Sequence, residues 1–170
     1  MQRLLFVLTA TLLCSLSFQA CSDRPQADSN ASTTEGASLA NDGIITLKSN
    51  YSVDETARRF ESLINERSLT LFTQVDHAAG ARSIEQELRP TRLIIFGNPK
   101  VGTPLMQCNQ SVAIDLPQKM LIWEDETGQV WVSYNDPDYL MTRHRLTGCE
   151  PVIARVKDVL GTLAKVAAQS

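Results

Sequence analysis

Apolar positions along this chain fall into two periods, and their alternation lays out a set of elements. Val53, Ala57, Phe60, Leu63 and Ile64 recur at helical spacing, opened by Ser52 and Glu55 at capping-box separation. Leu69, Leu71, Thr73 and Val75 alternate with Thr70, Phe72 and Gln74, which predicts a half-buried strand. Arg92 to Phe96 holds the unbroken run Leu93-Ile94-Ile95-Phe96, the mark of a strand buried on both faces. A first strand is expected at Ile44 to Leu47. A hairpin is expected from Lys119–Glu124 and Val130–Tyr134, turning at Asp125-Glu126-Thr127-Gly128. Weak short helices fit Ala78 to Glu87 and Pro104 to about Ser111, and Asn135-Asp136-Pro137 opens a further one. Val152, Val156, Val159, Leu160, Leu163 and Val166 line one face of a last helix reaching about Ala168.

The resulting order is β-α-β-(α)-β-α-β-β-α-α. A crossover helix followed by a late hairpin predicts an α+β two-layer sandwich with a mixed four- or five-stranded sheet and helices on one face. The ferredoxin-like arrangement is one form of that class. Local pattern leaves the strand order open.

The N-terminus departs from the pattern. Met1-Gln2-Arg3 is a short positive segment and Leu4 to Leu16 an apolar stretch too short to span a bilayer; Ser17-Phe18-Gln19-Ala20-Cys21 follows. Residues 1–20 therefore read as a secretory signal peptide. Ala20-Cys21 resembles the bacterial lipobox, in which the Cys becomes the lipidated N-terminus. Phe18 stands there in place of an aliphatic residue and Gln19 in place of a small one. Residues 21–42 are rich in Ser, Thr, Ala, Asp and Asn and form a tether, which leaves 43–170 as one domain. Lipidation at Cys21 implies a cell-envelope protein held by its anchor, and Ser22 favours the outer membrane facing the periplasm; simple cleavage would give a soluble periplasmic protein instead.

Composition adds one exclusion. Removing residues 1–20 takes Arg3 with it and leaves 15 basic against 19 acidic residues, a net charge of −4. With no Lys/Arg run, nucleic acid is not an expected partner. Oligomeric state is not legible.

The candidate site is the exit from the buried strand, Gly97-Asn98-Pro99-Lys100-Val101-Gly102-Thr103-Pro104. Thr103 and Pro104 read as N-cap and first residue of a helix, whose free amides favour anions. Asn98, Lys100, Gly102 and Thr103, joined by His77 from a neighbouring strand end, are the expected ligand-binding residues for a small anionic molecule. The rival account is that these residues only fix a turn and cap a helix. No residue is assigned a catalytic role. An enzyme using His77 as general acid or base, oriented by Asp76, is the alternative, and a structural or protein-interaction module is another. The mature chain has two His, His77 and His144, and no Cys-x-x-Cys or His-x-x-x-His spacing, so no metal or cofactor is called for. Haem or copper held by His77 with Met106 remains a minor alternative. Once Cys14 is cleaved off and Cys21 lipidated, Cys108 and Cys149 remain to pair in an oxidising compartment.

Several stretches together resemble one family. They are Val75-Asp76-His77-Ala78-Ala79, Glu87-Leu88-Arg89-Pro90-Thr91, Phe96 through Met106, Ile114-Asp115-Leu116-Pro117, Trp123-Glu124-Asp125 and Val132-Ser133-Tyr134-Asn135. The resemblance is to the bacterial "domain of unknown function 302" family and covers about residues 44–146. It implies a compact α+β domain and supplies no reaction.

Overall fold

In the computed structural model, residues 42–169 are described; the expected signal peptide, Cys21 and most of the expected tether lie outside them. Five strands and five α-helices follow in the order β1 (Ile44–Lys48), α1 (Val53–Glu66), β2 (Thr70–Asp76), α2 (His77–Arg82), β3 (Thr91–Gly97), α3 (Pro99–Cys108), β4 (Gln118–Glu124), β5 (Val130–Asn135), α4 (Pro137–His144) and α5 (Glu150–Gln169). A 3-10 turn, Gln110–Ile114, joins α3 to β4.

The class is the α+β sandwich expected, with five strands. The sheet runs β1-β5-β4-β3-β2 and is antiparallel at every pairing, where a mixed sheet was expected. The reason lies in the first crossover. Helix α1 joins β1 to β2, which point the same way but occupy opposite edges with three strands between them, so no parallel ladder forms.

One sheet face carries the core. Ile94, Phe96, Met120, Ile122, Val130, Val132 and Tyr134 are buried there, beneath α1 and α5. Helix α1 begins where the Ser52 hydroxyl accepts from the Glu55 amide (3.2 Å), and its Val53, Ala57, Phe60 and Ile64 face the sheet. Phe60 meets Phe96 edge to face, with ring centres 5.0 Å apart. Helix α5 buries Ala164, Ala167 and Ala168, small residues that suit close approach to α1. The Arg59 guanidinium then donates to the carbonyls of Ala167 (3.0 Å) and Val166 (3.2 Å), satisfying acceptors at that helix end.

On the opposite sheet face, side chains shelter one another. Trp123 and Trp131 stack with centres 6.5 Å apart. Their indole N–H groups donate to Ser133 Oγ (3.0 Å) and Asp125 Oδ2 (2.7 Å), respectively. The Asp125 carboxylate also accepts from Thr127 and Gln129, so the hairpin tip holds it well below the usual carboxylate range, Trp131 being the largest cause.

Candidate functional site

Strand β3 leaves the sheet at Gly97, and the next helix starts at once. Asn98 is the N-cap of α3: its side-chain oxygen accepts from the Lys100 amide (2.9 Å), and its carbonyl accepts from Val101 (2.9 Å) and Gly102 (3.0 Å). Pro99 at the first helical position has no N–H to satisfy. The amides expected to greet an anion are therefore used inside the helix. This corrects the expected start: α3 begins at Pro99, not Pro104, and Thr103 is an exposed residue of its second turn rather than a cap.

That earlier start gives α3 a face. Pro99, Gly102, Thr103 and Met106 stand at i, i+3, i+4 and i+7 and form one wall of a cavity of about 360 Å³. Gly97 and Asn98 adjoin that wall, and Ala113, Leu116, Pro117 and Gln118 make the facing one. Phe72 also lines the cavity and is the extra residue of a β-bulge in β2, where Leu71 pairs with Phe96 and Thr73 with Ile95. Two glycines keep the space open. A Cβ on Gly97 would sit 3.5 Å from Pro117 and 3.6 Å from Phe72, and one on Gly102 would sit 3.8 Å from Leu116. The lining is mostly hydrocarbon, with polar groups at Asn98, Thr103 and Gln118. Phe72 (52% exposed) and Ile114 (73% exposed), the latter between two lining residues in sequence, leave apolar surface in water beside it.

The facing wall is braced by groups that sequence spacing had not joined. His144, buried at the end of α4, has Nε2 2.5 Å from Asp115 Oδ2 and Nδ1 3.1 Å from Ser111 Oγ. Its carbonyl accepts from Asn109 Nδ2 (2.7 Å), and Arg143 Nε lies 3.7 Å from the same Asp115 oxygen. The Lys119 ammonium donates to the carbonyls of Asp115 (3.0 Å) and Pro117 (2.9 Å), and burial pushes its pKa down against the opposing pull of Asp115. Cys108 and Cys149 form a disulfide that ties the end of α3 to the approach to α5.

Of the residues expected to act together, Asn98, Gly102 and Thr103 line the cavity, and Lys100 lies exposed on the adjoining flank of α3. His77 does not join them. In the β2–β3 ladder Thr70 pairs with Gly97 and Asp76 with Arg92, which puts His77 at the far end of the sheet, about 20 Å from Gly97 at strand rise. Asp76 does not orient His77 either. Its carboxylate caps α2 through the Ala79 amide (2.8 Å) and lies 3.9 Å from Arg92, and the Ala79 bond leads the causes that hold its pKa down. His77 and Met106 likewise lie at opposite ends, so they do not form a ligand pair. Among the described residues no three His, Cys, Asp or Glu side chains gather as a metal-ligand set.

Phe72 and the Leu116-Pro117 wall were missed. Strict alternation puts Phe72 on the polar face of β2, and only the bulge, which pattern does not announce, turns it to the cavity. The His144–Asp115 pair spans 29 residues and has no local signature.

The fold and site together define a two-layer α+β domain with an apolar cavity at the exit of β3. Residues 45–168 match the model of the family described as "Domain of unknown function DUF302". The chain belongs to that family, and the match runs beyond residue 146 through most of α5. It is similar to a solved structure, the uncharacterized conserved protein DUF302 from Bacillus stearothermophilus. The TM-score is 0.67 at 15% identity, over 74% of this chain and 98% of that one, a likeness of fold. It is also 42% identical over 133 residues to proteins named fluoride-specific ion channel FluC 1, from Brucella suis biovar 1 (strain 1330) and Brucella abortus biovar 1 (strain 9-941). Those matches take in 78% of this chain but only 52% and 49% of the relatives, so the chain spans about half their length.

Proposed function

We propose that this protein is a non-enzymatic domain of the bacterial cell envelope, anchored through a lipidated Cys21, that binds a small and largely apolar ligand in the cavity between α3 and the Leu116-Pro117 wall. The observation that carries the reading is the pairing of hydrocarbon walls with a helix N-terminus whose amides are already bonded. That pairing favours apolar contact over the anion capture expected from the loop sequence. No named residue is given a bond-making role, and His77 is too far from the cavity to serve there.

The test is binding of N-phenyl-1-naphthylamine, an apolar fluorophore that brightens when it leaves water. Bright, saturable binding that Gly102→Met abolishes and His77→Ala leaves unchanged supports the reading. Absence of binding, or binding indifferent to Gly102→Met, sinks it. The anchor is tested separately: Cys21→Ser should move the protein from the membrane fraction to the soluble periplasmic fraction.

A second reading is favoured by one specific observation, the 42% identity to half of each Brucella protein named as a fluoride-specific ion channel. In this reading the domain works beside an ion channel. No helix among the described residues is long and apolar enough to cross a membrane, so a helical pore in those relatives would be built from their remaining half. Co-purification of the tagged chain with a fluoride channel from detergent-solubilised membranes of its own host is the expected result. Recovery of the chain without the channel argues against it.

A further inference from the structure

We propose that the ligand is a single-chain amphiphile, a medium-length acyl chain with its carboxylate at the Lys100 flank of α3. This rests on the cavity reading above and gives it a chemical class. Size supplies the first argument. At about 360 Å³ the cavity stands at the small end of the roughly 300–1,000 Å³ found for ligand sites, a size suited to one acyl chain.

The walls supply the second. Met106 and Leu116 are flexible aliphatic side chains suited to a chain of variable conformation. Phe72, which lines the cavity, and Ile114 expose apolar surface beside it. Such surface costs free energy in water and is covered when a chain threads past it. A compact polar molecule would leave it bare.

Charge supplies the third. The α3 amides are engaged, so an acidic head must find a side chain. Lys100 is exposed, sits beside the lining residue Pro99 in the first turn, and has no acidic partner among the described residues. Its four-carbon stem lets the ammonium follow a carboxylate at the rim while staying hydrated.

The experiment uses the purified mature chain, disulfide intact, with N-phenyl-1-naphthylamine as reporter and dodecanoate or dodecanol as competitor, both below micelle formation. Both competitors should displace the reporter. Lys100→Gln should weaken dodecanoate by about two- to fivefold, the scale of an exposed charge pair, and leave dodecanol unchanged. Gly102→Met should remove binding of the reporter itself. Gly102→Ala, which adds one methyl in ordinary contact with Leu116, should weaken both competitors and keeps this arm readable if the larger residue does not fold. If the reporter binds and Gly102→Met removes it, but dodecanoate does not displace it, the acyl proposal is overturned and the cavity reading stands. Displacement by dodecanoate that Lys100→Gln leaves untouched overturns the head-group assignment. If the reporter itself does not bind, both fall together.

Discussion

Gly102→Ala is the sharpest single test of the α3 geometry, because it should stabilise the protein and weaken binding at once. Glycine in a helix interior is disfavoured against alanine by about 0.8–1.0 kcal/mol. Gly102 lies inside Pro99–Cys108, and its backbone φ is not in the positive region where glycine is needed. An added Cβ meets only Leu116 Cδ1, at 3.8 Å, which is ordinary contact. The half-covered methyl contributes a few tenths more, for a total of about 1–1.5 kcal/mol. For a domain of this size that raises Tm by about 3–6 °C. The same methyl occupies space a ligand would use, so affinity for a chain matched to the cavity should fall by about one methylene's worth, near 0.8 kcal/mol or fourfold. Urea denaturation with the disulfide intact gives the first number and reporter titration the second. Gly43→Ala is the built-in contrast: φ there is +80°, and a Cβ would lie 2.5 Å from the Tyr139 ring, so stability should drop. A lowered Tm for Gly102→Ala would refute the unstrained-helix reading of α3. A raised Tm with unchanged affinity would move the ligand elsewhere.

Three further outcomes are expected. His144→Ala removes the brace between α4 and the 3-10 turn and leaves the half-buried Asp115 carboxylate with the more distant charges of Arg143 and Lys119; it should cost about 2–3 kcal/mol in urea denaturation, and a loss under 0.5 kcal/mol would show the brace to be idle. The Cys108–Cys149 bridge spans 41 residues, for which loop entropy gives about 4 kcal/mol; the double Cys→Ser variant should lose about 2–4 kcal/mol, and an unchanged midpoint would contradict that. Asp125 has its pKa depressed in the folded state, so its contribution is complete above the ordinary carboxylate range and is lost as pH falls below it. Asp125→Asn should therefore be less stable at neutral pH and show a shallower loss below about pH 5. Some slope should persist, because Asp76 and Glu150 are depressed in the same direction; an unaltered acid profile would count against the Trp131–Asp125 bond.

Local signals located most of the elements because each was written in nearby residues. Ser52 with Glu55 marks the start of α1, Asp136-Pro137 the start of α4, and the period-3.6 stripe the run of α5. The start of α3 was misplaced for a physical reason: the chain offers two cap-plus-proline pairs five residues apart, Asn98-Pro99 and Thr103-Pro104. Asn98 wins because its side chain and carbonyl satisfy three donors in succession, while Pro104 is accommodated within the helix. A crossover helix predicts that β1 and β2 lie side by side and parallel; that three strands separate them is set by long-range pairing no local pattern announces. His77 was drawn to the loop by the same gap. Its separation from Gly97 follows from the β2–β3 register, a pairing no local pattern fixes.

The cavity itself comes from three departures from regular packing that meet at one point. The bulge at Phe72 breaks the ladder of an edge strand and lifts an aromatic ring partly into water. Gly102 forgoes the helix propensity of alanine, and Gly97 leaves a strand end without a side chain to pack. Each is unfavourable or neutral for stability taken alone, and larger residues at the two glycines would bring the walls together. Departures from local rules that converge on one place are what a binding site requires of its surroundings. The anion-binding loop-and-amide chemistry suggested by Lys100-Val101-Gly102-Thr103 gives way to a hydrocarbon hollow for the same reason: once Asn98 starts the helix, Gly102 becomes a gap in its face rather than a donor in a loop.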